Sequence, residues 1–251
     1  MSRAEWLGRA AATVGALAVG GILAAGGMAA LPGSPQTTGS RGDSTAPSGG
    51  TDSPRDSGTG GPTVVAIGDS IMDGHGVGAK DAWPELLARA QGWRLTDLAS
   101  DGSGFVTVGD NGGTFVDQAN VAEQMSPAIV IVSASSNDLG QSDADVADAT
   151  AGVLHDLRTA LPTAEIIAVS SAWGSTPLPD QLTQFNAALS DASTSIGGVY
   201  VDIGQPLLDH PELMQDDDTH PNIDGQNLLA ATVEQQLVAD QNPVAHAGDG
   251  P

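Results

Sequence analysis

Thr63-Val64-Val65-Ala66-Ile67-Gly68-Asp69-Ser70 sets the reading of the chain. Five residues of strand-forming or small apolar character run without alternation and stop at a glycine turn. An apolar run with no polar face has to be covered on both sides, as a strand inside a parallel sheet is. The turn that follows sets a serine at the carboxyl end of that strand and at the start of the next helical segment. In an open parallel α/β sheet, that edge is where ligands bind.

Outward from this stretch, short apolar runs recur at Leu95–Leu98, Ile129–Ser133, Ile166–Val169 and Val199–Asp202, with helical patterns between them. One helix is expected after Ser142, which forms a weak capping box with Asp145. It carries Val146, Ala149, Val153, Leu157 and Leu161 at spacings of three and four. Another is expected from Asp224 to Val238, with Leu229, Val233 and Leu237 as its stripe. Five strands joined by crossovers predict an α/β fold: a three-layer α/β/α sandwich with a flavodoxin-like five-stranded parallel sheet.

This body is expected to occupy residues 63–240. Residues 1–31 include an uncharged, largely apolar segment, Ala10 to Leu31, behind Arg3 and Arg9. It is long enough to cross a hydrocarbon core of ~30 Å, so it reads as a transmembrane signal-anchor or as a long signal peptide. Either way the body is expected to be extracytoplasmic, tethered at the cell surface or secreted, with membrane contact only through that helix. Residues 32–62 are rich in Gly, Ser, Thr, Pro and Asp and are expected to be a disordered linker; the tail at 241–251 reads the same way.

Charge narrows the partners. The chain has 31 acidic and 8 basic residues, a net charge of −23. Between 62 and 240 only Lys80, Arg89, Arg94 and Arg158 are basic. Nucleic acid is excluded as a partner by that field. The absence of cysteine excludes disulfides and thiolate catalysis.

The chemistry is concentrated at two places. Ser70 follows the first strand, and Asp217-Asp218-Thr219-His220-Pro221 precedes the last predicted helix. A serine hydroxyl is a weak nucleophile until a neutral imidazole takes its proton. The imidazole in turn needs a carboxylate on its other nitrogen. With Asp217 three residues before His220, one short loop can supply base and orienter together. The catalytic expectation is Ser70, His220 and Asp217. Other histidines are poorer bases: His155 points away from its helix's apolar stripe, His210 has no partner at fixed spacing, His246 lies in the tail, and His75 reads as a rim residue. The acidic run Asp216–Asp218 reads as a solvated turn, because hard cations want more oxygen ligands than it guarantees.

Gly68-Asp69-Ser70-Ile71 resembles the first sequence block of the GDSL-type, or SGNH, serine hydrolases, and Asp217 through His220 resembles their last. Leu98-Ala99-Ser100-Asp101-Gly102-Ser103-Gly104 is similar to the second block and Ser135-Ser136-Asn137-Asp138 to the third. The resemblance implies hydrolysis of carboxylic esters without metal or cofactor. It also implies an oxyanion hole formed by the amides of Ser70 and Gly104 and the side chain of Asn137. Gly102 is the alternative to Gly104, and read without the resemblance Asn137 is a turn or cap residue. Ser135 departs from the family, which has glycine there. An acyltransferase of the same fold and a non-catalytic glycan-binding domain are the rival readings. Small-molecule or glycan-borne esters with short acyl groups, acetyl to butyryl, are the expected substrates. Phe105, Phe115 and Trp173 are candidates either for an acyl-pocket wall or for the core.

Overall fold

The computed structural model describes residues 60–241. The expectations for the N-terminal helix, for most of the linker and for the tail after 241 lie outside them. Among the described residues, no helix is long and apolar enough to cross a membrane.

Five strands, β1 (Thr63–Ile67), β2 (Arg94–Asp97), β3 (Ile129–Ser133), β4 (Glu165–Val169) and β5 (Val199–Val201), form one sheet. All pairings are parallel and the order is β2-β1-β3-β4-β5. That is the expected flavodoxin-like order. The helices are α1 (Ser70–Asp73), α2 (Trp83–Gln91), α3 (Phe115–Met125), α4 (Asp143–Ala160), α5 (Asp180–Ser195) and α6 (Ile223–Gln241).

Successive strand residues face opposite ways, so each central strand feeds two cores. Val64, Ala66, Ile129, Ile131, Ile167 and Val169 pack with Trp83 and Leu87 of α2 and with Leu229, Val233 and Leu237 of α6. Val65, Ile67, Val130, Val132, Ile166 and Ala168 meet α3, α4 and α5 through residues such as Phe115, Leu154, Leu157 and Leu189. Full burial of a side chain of this size contributes about 1.5–3 kcal/mol, which is why the fully apolar runs fall in the middle of the sheet. β2 departs from the expected continuous run. It lies at the edge, starts one residue earlier than the apolar pattern, and alternates exposed with half-buried positions. No further strand flanks it among the described residues, so the apolar rule for central strands does not govern it.

The sheet places the site. β1 is paired with β2 on one side and β3 on the other, so the connections leaving it and returning to β3 run in opposite directions. A crevice opens outside the carboxyl ends of these two strands. The loops after β1 and β3 carry Ser70 and Asn137, and the loop before α6 closes over them with His220.

Candidate active site

Gly68 makes the turn out of β1. Its N–H donates to Gln118 Oε1 at 2.9 Å, and its carbonyl accepts from Gln118 Nε2 at 3.0 Å. A Cβ there would lie 2.5 Å from Met72 Sδ, so only glycine allows this approach. Asp69 caps the single turn of α1 by accepting from the Ile71 N–H at 3.0 Å. Ser70 is the first helical residue and is 8% exposed. Burial, the largest influence on Asp69, pushes its carboxyl above the ordinary range, against hydrogen bonds from Ser135 and Ile71.

The Ser70 hydroxyl donates to His220 Nε2 at 2.9 Å, and His220 Nδ1 donates to Asp217 Oδ2 at 2.7 Å. Asp217 Oδ1 accepts from the backbone N–H groups of Thr219 and His220, both at 3.0 Å. Partial burial alone would raise the Asp217 carboxyl. The donors from the His220 backbone, the His220 ring and the Thr219 backbone outweigh it and hold the group at about 2. The carboxylate is therefore ionised when the imidazole needs it.

The loop holding these two residues closes on itself. Met214 bridges to Pro221, and the Gln215 N–H donates to the His220 carbonyl at 2.8 Å. Gln215 Nε2 also donates to the carbonyls of His75 at 2.7 Å and Pro221 at 3.0 Å, tying this loop to the one after α1.

Of the sequence-expected oxyanion donors, two have a hydrogen to spare. No acceptor for the Ser70 N–H is found among the described residues. Asn137 sits in the one-turn 3-10 helix Ser136–Asp138; its Nδ2 spends one hydrogen on the Ser103 carbonyl at 2.9 Å and retains the other. Gly104 is engaged within its own loop. Its N–H donates to the Thr107 carbonyl at 2.9 Å, and its Cα packs so closely on Asp138 that a Cβ would lie 2.4 Å from Oδ1. Gly102, in the left-handed region at φ 74°, has an N–H with no acceptor among the described residues.

Ser135, the departure from the family pattern, is buried at the junction of these loops. Its Oγ lies 2.7 Å from Asp69 Oδ2 and 3.0 Å from the Ser103 carbonyl, and it accepts from the Asn137 N–H at 3.1 Å. The serine links the nucleophile turn to the Asn137 turn. Asp138, fully buried, accepts from the N–H groups of Phe105, Val106 and Thr107 and so fixes the loop between β2 and α3.

Phe105 and Phe115 form an edge-to-face pair at 4.9 Å in the core and are not free to line a pocket. Trp173 packs with Val146, Leu182 and Phe185. His155 is exposed on α4, His210 is paired with Glu212, and His246 lies outside the described residues.

Sequence reasoning offered His75 only as a rim residue and did not foresee its partners. Its ring stacks on that of His220, with centroids 4.2 Å apart and planes 31° apart, and its Nδ1 lies 2.5 Å from Asp101 Oδ2. The Gly74 and Gly76 positive-φ turns fold this segment back over the site. Those glycines were the available signal.

The chain matches the GDSL-like Lipase/Acylhydrolase family over residues 66–228. A GDSL lipase of Mycobacterium tuberculosis is 31% identical over 184 residues, which span 66% of this chain and 78% of that protein. The esterase EstA of Pseudoalteromonas sp. has a similar fold, with a TM-score of 0.58 at 18% identity, covering 72% of this chain and 100% of that one. TesA gives a TM-score of 0.57 at 19% identity, covering 70% of this chain and 97% of its own. The family match takes in both the Ser70 turn and the His220 loop, and the chain accordingly belongs to the GDSL-like lipase/acylhydrolase family and is a carboxylic ester hydrolase.

Proposed function

We propose that the protein is an extracytoplasmic serine esterase that cleaves short-acyl esters through a Ser70-His220-Asp217 acyl-enzyme mechanism. The observation that carries the reading is the unbroken chain of hydrogen bonds from Ser70 Oγ through both nitrogens of His220 to Asp217. In the first half-reaction Ser70 Oγ attacks the acyl carbon while its proton passes to His220 Nε2. The tetrahedral oxyanion accepts from the Ser70 N–H, from Asn137 Nδ2 and from the amide of Gly104 or its alternative Gly102. His220 then gives its proton to the departing alcohol oxygen, leaving an acyl-serine. Water repeats the sequence, losing its proton to His220 and releasing the acid. Asp217 stays ionised throughout and stabilises the imidazolium.

Short acyl groups are favoured by the fate of the aromatics, two of which belong to the core rather than to an acyl wall. The extracytoplasmic placement rests on the apolar segment Ala10 to Leu31 behind Arg3 and Arg9. The test is p-nitrophenyl acetate turnover. Ser70→Ala and His220→Ala are each expected to remove nearly all activity while circular dichroism stays unchanged, and the double variant to be no worse, because the two groups act as one unit. Substantial turnover by folded Ser70→Ala overturns the mechanism.

A further inference from the structure

We propose that His75, Asp217 and His220 form a transition-metal site through which Zn²⁺, or another imidazole-seeking divalent ion, reversibly blocks the enzyme. One ligand atom from each of these residues lies within 4.8 Å of the others. Zinc places tetrahedral donors at about 2.0–2.2 Å, roughly 3.4 Å from one another. The group therefore has to close by about an ångström. The His75 and Asp217 side chains are each 44% exposed and have room to turn.

A second feature points to a ligand. Histidines that hold metals regularly donate their other ring N–H to a carboxylate, which fixes the tautomer and raises the basicity of the ligating nitrogen. His75 has that arrangement, because Asp101 takes its Nδ1 and leaves Nε2 to offer. The Asp101–His75 pair takes no part in the proposed ester cleavage. Two imidazoles and one carboxylate suit Zn²⁺, Cu²⁺ or Ni²⁺ and not Mg²⁺ or Ca²⁺, which prefer all-oxygen shells. The site is inhibitory because it shares His220. Coordination through Nε2 takes the lone pair that would accept the serine proton, and coordination through Nδ1 replaces the hydrogen bond to Asp217 and puts the ring proton on Nε2, which then has no lone pair for the serine. Nothing is oxidised or reduced; the ion adds and leaves.

The inhibitory part rests on His220 being the base, whereas the binding does not, so the two are measured separately. By titration calorimetry, the metal-free protein is expected to bind one Zn²⁺ saturably. His75→Ala should lose at least about tenfold in affinity, and Asp101→Asn about tenfold through the orienting carboxylate. Ser70→Ala should bind as the unaltered protein does. In parallel, Zn²⁺ is expected to inhibit p-nitrophenyl acetate turnover, with chelator restoring the rate and equal Mg²⁺ having no effect. The concentration giving half inhibition should rise at least about tenfold in His75→Ala, measured against that variant's own metal-free rate. Zn²⁺ affinity that is undiminished in His75→Ala places the ion elsewhere on the acidic surface and overturns the proposal. So does saturation that leaves turnover untouched. A failure of the esterase reading would appear as a missing metal-free rate, with the calorimetric result still standing.

Discussion

Asn137 is the residue at which a hydrogen-bond inventory yields a rate. Its Nδ2 keeps one hydrogen after serving Ser103, and Ser135 holds its backbone in place. Asn137→Ala is expected to lower kcat by on the order of 10²–10³ with little change in KM, because the donor strengthens only as the oxyanion forms. A loss under about tenfold in steady-state kinetics would remove the side chain from the oxyanion hole. At this scale the candidate roles of Ser70, His220 and Asp217 could be read because each signal is local: a turn after a strand, and a carboxylate three residues before a histidine. The choice between Gly102 and Gly104 was not legible. The two are chemically identical in sequence, and the hydrogen bond from the Gly104 N–H to the Thr107 carbonyl comes only with the folded loop. The partners of His75 were not legible for a related reason, since Asp101 and Gln215 are 26 and 140 residues away.

Among the elements, the edge strand β2 ends on a titrating group. Burial, first among the causes, together with the neighbouring charges of Asp73 and Glu85, raises the Asp97 carboxyl from 3.8 to about 7 against the hydrogen bond it accepts from the Ala99 N–H. The folded state thus binds this proton more tightly than the unfolded chain. The stabilisation from holding it is fully present below pH 4 and is lost as pH rises through about 7. Asparagine mimics the protonated form and can still accept from Ala99. Asp97→Asn is expected to raise the melting temperature at pH 8 and to leave it unchanged at pH 3.5; equal melting temperatures at pH 8 would contradict this. Strand identity was legible in the unbroken apolar runs of β1 and β3, which lie in the middle of the sheet. The ends of β2 were not, because Arg94 and Asp97 take their places through pairing with Thr63 and Ala66 rather than through their own hydropathy. The α4 start was legible in detail, with Ser142 Oγ accepting from the Asp145 N–H at 3.4 Å.

Taken whole, the molecule combines a strongly acidic composition with few aromatic residues. Aromatics are 3% of the chain, and Phe105 and Phe115 are spent on the core. For p-nitrophenyl esters, kcat/KM is expected to fall from acetyl or butyryl towards palmitoyl; a rise along the series would show an acyl-binding wall that the core aromatics do not supply. Fold class and sheet order were legible at this scale because strand, crossover and strand recur along the body, and right-handed parallel connections leave few alternatives. The meeting of four separate loops at one crevice was legible only through the resemblance. Activation of Ser70 by the His220-Asp217 pair is read out by intact-mass and peptide mapping after reaction with a fluorophosphonate. A single adduct on Ser70, slowed strongly in His220→Ala and absent from Ser70→Ala, is the expected result. An unlabelled folded protein, or an adduct on any other residue that persists in Ser70→Ala, would contradict it.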